Sequence, residues 1–430
     1  MIKKIYNTPH PPLIIKEIGR GREKEIAETI NNFNRMAREI EEINPDTIIV
    51  ISPHAPSFLN RYYLPLDDYY INNMLIFNFN KEIKIPFDRE LINKINNYNN
   101  HLGIDASPTL DITKDHASYI PLYFILERYK NFKVVLLGMN SNSEEDNLYL
   151  GKLINKSIND LKRKAIVIVS GDLSHALSNN APSPYTPYGK IYDEEIIKII
   201  KSTRLDGFIN LDRNLKINSA NCAMLPLEIM AGITSNLNLK LDYYSYEAPF
   251  GVGYLFASFN VLDPYIELAK LTINKYIKEG TIIDSNLFIN EEMKSSRKGT
   301  FVSLKINNNL RGCIGTIFPT KLNTKEEIIS NAISAATKDP RFNPLREDEL
   351  DKIKVSVDVL ETPTDVLDIN ELDPKKYGVI ITEGFKRGVL LPNLEGIDTV
   401  EEQINIAKNK AGITSNTYSL QKFLVTRHEY

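Results

Sequence analysis

The first half of the chain alternates between apolar positions at helical spacing and short, continuous apolar runs. Residues 22–43 place one helical face of apolar side chains at Ile26, Ile30, Phe33, Met36, Ala37, Ile40 and Ile43. Three β-branched runs predict buried strands: Thr47 to Ser52, Lys133 to Gly138 and Ala165 to Ser170. Amphipathic segments near 143–163 and 191–202 predict further helices in the same region. This alternation predicts an α/β domain with a central sheet flanked by helices.

A change of pattern near residue 262 predicts a domain boundary. Residues 249–262 are predicted to form a closing strand with a glycine-rich start, and Asp263-Pro264 then interrupts the pattern. An amphipathic helix is predicted from Tyr265 to Lys278. The elements predicted beyond it are a strand at 299–306, a tight segment at 311–315, a helix at 324–337, a strand at 353–360 and a hairpin-like segment at 378–391. We therefore expect two domains, 1–262 and 263–430, that pack together across a short junction.

Composition agrees with a two-domain globular protein and argues against several classes of function. A chain of 430 residues exceeds a typical single core. Its formal net charge is only -3, with no strong excess of basic or acidic residues, so we expect neither a nucleic-acid-binding nor a membrane-binding surface. No apolar run reaches the roughly 18 residues of a membrane span, and the apolar stretch after Met1 is too short for a signal peptide. Two cysteines far apart in sequence favour free thiols and a reducing, cytoplasmic setting.

Histidine, the commonest metal ligand and general base near neutral pH, is concentrated in the first domain. Five of the six histidines precede residue 176. Four of these have distinctive neighbours: His10 in Thr8-Pro9-His10-Pro11-Pro12, His54 in Pro53-His54-Ala55-Pro56, His116 after Asp115, and His175 in Gly171-Asp172-Leu173-Ser174-His175. The prolines stiffen the backbone beside His10 and His54 and so fix the direction of each ring. His101, in an asparagine-rich stretch, and His428, at the tail, are interpreted as ordinary side chains.

Two of these histidines directly follow predicted strands. His54 comes after the strand at 47–52, and His175 comes after the strand at 165–170. Ligands in α/β domains bind beyond the carboxyl ends of strands, so we expect both histidines in one site. Two imidazoles with one anionic ligand and open positions suit a non-haem Fe(II) centre, and they suit a catalytic zinc equally well. The spacing alone does not choose between these metals.

Motifs in both halves of the chain resemble known families. The first-half motifs are His10 with its prolines, Ser52-Pro53-His54-Ala55-Pro56, Asp115-His116-Ala117-Ser118-Tyr119-Ile120-Pro121-Leu122 and Ser170-Gly171-Asp172-Leu173-Ser174-His175. Through them the first 262 residues resemble the class III extradiol dioxygenases (LigB-like) and the related Memo family. The second-half motifs are Leu310-Arg311-Gly312-Cys313-Ile314-Gly315, Asp339-Pro340-Arg341-Phe342, Leu390-Leu391-Pro392 and Lys410-Ala411-Gly412-Ile413. Through these, residues 263–430 resemble the AMMECR family, which implies an α+β fold with an antiparallel sheet.

The first resemblance implies a role for each residue of the candidate site. His10 and His54 would be the two histidine ligands of the metal, and His175 would be the catalytic acid/base beside it. His116 would lie behind the ligands and orient or polarise the substrate or oxygen. Asp172 would hold His175 in one tautomer or touch the metal. The resemblance makes Fe(II) the expected cofactor, with zinc or copper as alternatives.

The third metal ligand departs from the pattern of the ring-cleaving members, which use a glutamate before an apolar Leu-Pro-Leu-like stretch. The corresponding segment here is Ser219-Ala220-Asn221-Cys222-Ala223-Met224-Leu225-Pro226-Leu227. Its matching position holds Cys222, as in the Memo family, and Glu247, just before the glycine turn, is the rival candidate. A thiolate is softer than a carboxylate and favours zinc, copper or electron-rich iron. The identity of this ligand therefore bears directly on whether the site performs dioxygenase chemistry.

The sequence leaves three functions open. The first is an Fe(II)-dependent extradiol-type dioxygenase that cleaves a catechol-like or related small aromatic substrate, with His175 moving a proton. The second is an oxygen-independent, metal-dependent hydrolase or carbon–carbon bond-cleaving enzyme that works with a radical-SAM partner protein; the resemblance to known proteins that fuse these two domains implies this partner. The third is a non-catalytic metal-binding assembly protein. A homodimer is a further expectation, because related domains often pair.

The second domain carries a separate candidate site around Cys313. Arg311 lies close to this cysteine in sequence, and a nearby cation favours the thiolate form that acts as a nucleophile. His428 is the only histidine of this domain, so the cysteine has no obvious histidine base. Asp339 and Arg341 are interpreted as part of a fixed turn beside the cysteine. A catalytic nucleophile, a buried structural cysteine and a ligand-binding turn are the alternatives for Cys313.

Overall fold

The computed structural model describes residues 1–59, 61–98, 102–105, 112–140, 143–285, 290–394, 396–415 and 417–429. The chain divides into two compact units, Met1–Leu262 and Asp263–Tyr430. Within the described ranges, no helix is long and apolar enough to cross a membrane. His101, interpreted from the sequence as an ordinary side chain, lies outside the described residues.

The first unit is built from strands and helices that largely alternate along the chain. Its elements are β1 (Ile2–Thr8), α1 (Lys16–Gly19), α2 (Ala27–Ile43), β2 (Thr47–Ser52), β3 (Tyr62–Tyr63), β4 (Tyr69–Met74), β5 (Phe79–Pro86), α3 (Arg89–Asn97), β6 (Ile104–Asp105), α4 (His116–Leu126), β7 (Lys133–Gly138), α5 (Glu144–Asp160), β8 (Ala165–Ser170), α6 (Pro187–Ser202), α7 (Arg213–Asn218), α8 (Met224–Thr234), β9 (Asn238–Glu247) and β10 (Tyr254–Leu262). Short 3-10 turns occur at Pro12–Ile14, Arg22–Ile26, Leu75–Phe77 and Leu205–Phe208. The strands predicted at 47–52, 133–138 and 165–170 are confirmed to the residue.

An eight-stranded mixed sheet forms the centre of this unit, in the order β6-β3-β7-β2-β8-β1-β10-β9. The strands β7, β2, β8 and β1 run parallel, whereas β10 is antiparallel to β1, and β9 to β10. Every residue of β2 and β8 is buried, which explains their continuous apolar sequences. Because β2, β8 and β1 are parallel neighbours, the segments after Ser52, Ser170 and Thr8 leave the sheet at one edge.

The apolar pattern does not predict strand β1, although this strand lies near the centre of the sheet. Lys4 and Asn7 interrupt its apolar residues, and both are buried. Lys4 forms ion pairs with Glu39 at 2.7 Å and Asp242 at 2.8 Å, and Asn7 donates a hydrogen bond to the carbonyl of Leu255 at 2.9 Å. Partners from distant parts of the chain therefore make a strand possible where the local sequence gives a weak signal.

The second unit is an α+β domain with an antiparallel sheet. Its elements are α9 (Pro264–Glu279), α10 (Glu291–Ser295), β11 (Thr300–Ile306), β12 (Asn309–Gly315), α11 (Thr324–Thr337), β13 (Lys354–Leu360), β14 (Thr364–Asp365), β15 (Tyr377–Glu383), β16 (Lys386–Leu390), α12 (Val400–Ala411) and β17 (Ser419–His428). The strand order is β12-β11-β13-β17-β15-β16, and β14 pairs with β17. The helix predicted at 324–337 is confirmed. The tight segment predicted at 311–315 is wrong, because these residues belong to β12 and Cys313 pairs with Ser303 of β11.

Candidate metal centre

His10 follows the carboxyl end of β1 and is almost completely buried, with 1% of its surface exposed. Its backbone N–H donates to Asp172 Oδ1 at 2.8 Å. Its Nδ1 lies 3.0 Å from Ser170 Oγ, and the Ser170 hydroxyl donates to the carbonyl of Ala117 at 2.8 Å. Because a carbonyl oxygen can only accept, the Ser170 hydroxyl donates its hydrogen to Ala117. Ser170 Oγ therefore accepts a hydrogen bond from the N–H at His10 Nδ1. The other ring nitrogen, Nε2, is therefore unprotonated and able to bind a metal.

His54 follows β2 and stands on the open side of the site, where it is more exposed than His10 and Cys222, although protein atoms surround much of its ring. Its Nε2 is 3.2 Å from Nε2 of His10. Its backbone N–H donates to Ser52 Oγ at 3.2 Å, and the Ser52 hydroxyl donates to Asp115 Oδ1 at 2.5 Å. Asp115 also caps helix α4 by accepting a backbone N–H from its first turn. The same carboxylate thus holds the turn of His54 and the helix that begins with His116.

Cys222 comes from the turn before helix α8, and its thiol is free. Its Sγ lies 3.5 Å from His10 Nε2 and accepts the backbone N–H of Asp172 at 3.2 Å. The backbone N–H of Cys222 in turn donates to the carbonyl of Asp172 at 3.2 Å. Ala220, two residues earlier, has a φ of 51°, a left-handed conformation that is unfavourable for a residue with a side chain. The fold therefore holds this turn in a strained conformation that presents Cys222 to His10.

The ligand atoms of His10, His54 and Cys222 all lie within 4.8 Å of one another. Tetrahedral coordination with zinc-type bond lengths separates two nitrogens by about 3.3 Å, and a nitrogen from a sulfur by about 3.6 Å. The observed distances are 3.2 Å between the two Nε2 atoms and 3.5 Å between His10 Nε2 and Cys222 Sγ. The two distances that involve His10 therefore match a tetrahedral site, and the three ligand atoms lie close enough together for one ion to bring them into contact.

The electrostatic environment favours neutral imidazoles, which are the form that binds a metal. Burial, followed by the charges of the neighbouring histidines, lowers the pKa of His10 well below its usual value. Desolvation by the surrounding protein, followed by the charges of His116 and His175, lowers the pKa of His54 to about 4. Burial above all raises the pKa of the Cys222 thiol. A bound cation opposes that effect, because it stabilises the thiolate.

His175 lies beside these three side chains, in the turn after β8. Its Nε2 is 3.8 Å from Cys222 Sγ. Its backbone N–H donates to the carbonyl of Ala220 at 2.8 Å, and its carbonyl accepts from the N–H of Ser183 at 3.0 Å. Burial lowers the pKa of His175, so its ring is neutral near pH 7 and able to accept a proton. This position is compatible with an acid/base role at the metal.

Asp172 contacts His10 rather than His175. Its Oδ1 accepts the backbone N–H of His10, and its Oδ2 lies 3.8 Å from His10 Nε2. Burial raises the pKa of Asp172 to about 7, against the effect of the backbone hydrogen bond from His10. Among the hydrogen bonds of the described residues, none joins Asp172 to the ring of His175. The geometry therefore gives no support to the idea that Asp172 fixes the tautomer of His175, and it places this carboxyl next to a ligand candidate.

A row of aromatic rings leads away from the ligand candidates. The ring of His116 stacks on that of His54, with 4.5 Å between centroids and 22° between planes. It also lies 5.2 Å from the ring of His10. Phe77, in the turn between β4 and β5, meets His116 edge-to-face at 5.4 Å. His116 therefore neighbours both histidine ligand candidates, and Phe77 extends the row towards the tip of the β4–β5 hairpin.

Glu247, the rival candidate for the third ligand, does not join this group. It ends β9, and its carboxylate accepts the backbone N–H of Thr29 at 2.7 Å and the Thr29 hydroxyl at 2.6 Å. These bonds place the carboxylate in the first turn of helix α2, where it satisfies a free N–H and stabilises the helix dipole. The expectation for Glu247 is therefore corrected: its carboxylate is committed to the helix, and Cys222 is the anionic candidate at the site.

Sequence reasoning missed two supporting residues, Ser170 and Asp193. Asp193 Oδ1 accepts the backbone N–H of Ser174 at 2.9 Å, and its Oδ2 accepts the hydroxyl of Tyr246 at 2.6 Å. Burial raises the pKa of Asp193 to about 7. Ser170 did carry a signal, because it ends a predicted strand that leads into the site. Asp193 carried none, because it lies on the buried face of helix α6, outside every motif.

The candidate residues of the second unit form a cluster in which Arg311 has a different role from the expected one. The backbone N–H of Cys313 donates to Asp339 Oδ2 at 2.8 Å, and its carbonyl accepts from Arg341 at 3.2 Å. Arg341 also pairs with Asp339 at 2.7 Å, so these two residues form a fixed turn beside the cysteine. Arg311 instead binds Glu349 with two hydrogen bonds, at 2.8 Å and 2.9 Å. Its charge is therefore directed at Glu349 rather than at the thiol.

The fold and the site together define the first unit as an α/β domain with a candidate metal site formed by His10, His54 and Cys222, here called the metal group. The family profile described as the catalytic LigB subunit of aromatic ring-opening dioxygenase matches residues 4–257. The AMMECR1 profile matches residues 266–430. The chain therefore belongs to the LigB family and carries an AMMECR1 domain after its LigB domain.

Several relatives and solved structures are similar to this chain. A protein of Clostridium acetobutylicum is 37% identical over 464 aligned residues, which cover 99% of this chain and 98% of the relative. A protein of Thermotoga maritima is 51% identical over 169 residues, which cover 39% of this chain and 97% of the relative. The crystal structure of an uncharacterized protein from Pyrococcus horikoshii aligns at 30% identity with a TM-score of 0.35, covering 38% of this chain and 88% of that chain. An uncharacterized protein from Escherichia coli K12 aligns at 12% identity with a TM-score of 0.42, covering 60% of this chain and 99% of that chain.

Proposed function

We propose that the first unit is a metal-dependent, extradiol-type enzyme that cleaves a catechol-like or related small aromatic ring. The observation that carries this proposal is the group of His10, His54 and Cys222, with His175 beside it. This group lies at the edge of the sheet where parallel strands end. Membership of the LigB family supports the reaction class. Fe(II) is the metal that such chemistry favours, and the thiolate candidate keeps zinc and copper as alternatives.

Each residue of the site has a distinct task in this proposal. His10 and His54 would hold the metal through their Nε2 atoms, and Cys222 would hold it through Sγ. A metal bound there would supply Lewis acidity towards substrate oxygens and a site for dioxygen. His175 accepts a hydroxyl proton from the substrate at Nε2 and later returns it. His116, stacked on His54, offers the substrate ring a flat neighbour whose nitrogens can hydrogen-bond.

Anaerobic reconstitution with Fe(II) tests the proposal. The loaded protein is mixed with a panel of catechols and then with oxygen. We expect a ring-opened chromophore and matching oxygen consumption, and we expect both to disappear in His54→Ala and His175→Ala. A Phe385→Ala variant, changed at a fully exposed side chain of the other unit, controls for a general loss of activity. Protein that holds Fe(II) but shows neither a chromophore nor oxygen consumption contradicts the proposal.

A second candidate is an oxygen-independent hydrolase or carbon–carbon bond-cleaving enzyme that receives its substrate from a radical-SAM partner protein. The position of Cys222 favours it, because a sulfur ligand suits zinc, which has no redox chemistry. The metal content of freshly purified protein separates the two candidates. Stoichiometric zinc with turnover under strict anaerobiosis supports the second. Iron with oxygen-dependent turnover supports the first.

A further inference from the structure

The tip of the β4–β5 hairpin lies against the metal group. We infer that this tip, Leu75–Phe77, recognises the aromatic ring of the substrate, and that Phe77 is its specificity-determining residue. The inference rests on the proposed function, because it requires a substrate that binds at the metal. It adds to that function a source of specificity: the hairpin tip makes the site bind aromatic chelating ligands more tightly than aliphatic ones.

One ring, that of His116, lies between Phe77 and the ligand candidate His54. Its centroid is 5.4 Å from that of His116, with 77° between the planes. The centroid of His116 is in turn 4.5 Å from that of His54. These are the separations at which aromatic rings attract one another through their edges and faces. A planar ring whose oxygens approach the ligand atoms therefore meets an aromatic surface that continues from the metal group to the hairpin.

The hairpin tip exposes apolar side chains that a ligand could cover. Leu75 is 54% exposed and Ile76 is 49% exposed, and Phe77 is half-buried. Removing apolar surface from water is favourable, so an apolar ligand that covers this surface beside the polar metal-ligating side chains binds more tightly. A ligand with an aromatic body that reaches this tip removes apolar surface from water, and a ligand that consists of oxygen donors alone does not.

The tip is a defined turn that can position a side chain. The backbone N–H of Leu75 donates to Asn73 Oδ1 at 3.1 Å. Asn78 closes the turn in the left-handed region, with a φ of 57°, and its N–H donates to the carbonyl of Leu75 at 2.9 Å. Asparagine tolerates this conformation better than most residues with side chains. Local hydrogen bonds on both sides therefore fix the backbone that carries Phe77.

Three tyrosines of this unit are too deeply buried to take this role. Tyr62, Tyr63 and Tyr70 are fully buried, each with 0% of its surface exposed. The hydroxyl of Tyr70 is within 2.9 Å of Ser118 Oγ, inside the core. These side chains stabilise the fold, whereas His116 and Phe77 are rings of the described residues that lie beside the ligand candidates.

Two chelating probes separate ring recognition from metal binding. Both 4-nitrocatechol and acetohydroxamic acid bind a metal through two oxygens, but only the first has a ring. Their affinities are measured by titration on full-length, Fe(II)-loaded protein under anaerobic conditions. We expect Phe77→Ala to weaken 4-nitrocatechol about tenfold and to leave acetohydroxamic acid within about twofold. Phe79→Ala is the matched control, because its ring packs on Tyr123 at 6.1 Å instead of on His116, and we expect it to change neither affinity.

Each outcome decides the inference. Unchanged 4-nitrocatechol affinity in Phe77→Ala overturns it, and so does an equal loss for both probes. If Phe77→Ala fails to fold, Phe77→Leu, which keeps an apolar side chain, replaces it. A selective loss of 4-nitrocatechol affinity in Phe77→Leu supports the inference, and unchanged affinity overturns it. Wild-type protein that holds Fe(II) but binds neither probe contradicts both the inference and the proposed function. Selective loss of 4-nitrocatechol in protein that never opens a ring supports the inference and contradicts the proposed function.

Discussion

The protonation states of single side chains make His10, His54 and Cys222 suited to a metal. The Ser170 hydroxyl donates a hydrogen bond to the carbonyl of Ala117, so its oxygen accepts a hydrogen bond from the N–H at His10 Nδ1. The lone pair of His10 Nε2 is then directed to the group in which the other two ligand atoms lie. A hydroxyl outside the group thus determines which ring nitrogen is available to bind.

Replacing Ser170 with alanine tests this arrangement. Because the variant no longer fixes the tautomer of His10, we expect metal affinity to fall by about 10- to 100-fold, the usual effect of losing a partner of a ligand histidine. Competition with a chromophoric chelator measures the change. Ser157→Ala is the matched control, since Ser157 is a buried serine on α5 whose hydroxyl has no hydrogen-bond partner among the described residues. Equal affinities in wild type and Ser170→Ala would exclude this role.

The lowered pKa of His54 predicts a pH-dependent stability in the metal-free protein. The pKa of His54 is about 4 in the folded state, against a usual value of 6.5. Between these two pH values the unfolded chain binds more protons at this residue, so its contribution to stability decreases as the pH falls from 6.5 to 4. We expect the free energy of unfolding of wild type, relative to His54→Gln, to decrease over this interval. Urea unfolding at several pH values measures it, and a constant difference contradicts the prediction.

At the scale of elements, helix α6 and strands β9 and β10 support the turn that carries His175. Asp193 of α6 accepts the backbone N–H of Ser174, and Tyr246 of β9 donates to the same carboxyl. Gly253, just before β10, donates its N–H to the carbonyl of Ser174 at 2.9 Å. A Cβ at this glycine would lie 2.2 Å from Asp193 Oδ2. The turn is therefore held from both sides by elements that contribute no ligand.

Removing the Tyr246 hydroxyl should loosen this turn. Tyr246→Phe leaves a buried carboxyl without one of its donors, and we expect a loss of about 1–3 kcal/mol in the free energy of unfolding. We also expect faster amide hydrogen exchange at residues 172–176. Tyr243→Phe provides the control on the same strand, because the Tyr243 hydroxyl donates to Glu39, at 3.3 Å, instead of to Asp193. Equal exchange at 172–176 in both variants would argue against the support that we assign to Tyr246.

At the scale of the whole molecule, the metal group and its supporting contacts lie within one compact unit. The ligand candidates, His175 and the hydrogen bonds of Ser170, Asp172 and Asp193 all belong to Met1–Leu262. The cluster around Cys313 belongs to Asp263–Tyr430. Metal binding should therefore depend on the first unit alone.

Separate expression of the two units tests this division. We expect residues 1–262 to bind one equivalent of metal with the affinity of the full chain, because they contain every ligand candidate. We expect residues 263–430 to bind none at that affinity. Isothermal titration with metal analysis measures both, and full-length His54→Ala provides the reference for a lost ligand. A folded first unit that binds no metal would show that the second unit contributes to the site.

Much of the fold could be predicted because buried parallel strands leave a plain trace in the sequence. β2, β7 and β8 are almost entirely buried, and their residues are correspondingly apolar and β-branched. β1 escaped prediction because Lys4 and Asn7 are polar, and each has a partner more than 200 positions away: Lys4 pairs with Asp242, and Asn7 donates to the carbonyl of Leu255. A pattern of neighbouring residues cannot include such partners.

The sequence by itself determined which chemical groups are available and that several of them follow strands. Histidines after β2 and β8 predicted a site at the carboxyl edge of the sheet, because that position follows from chain direction alone. Only the tertiary structure decided between Cys222 and Glu247. The contact between Cys222 and His10 spans 212 residues, whereas the carboxylate of Glu247 is bound at the start of helix α2. Ligand choice depends on which side chains meet in space, and that is a property of packing rather than of local sequence.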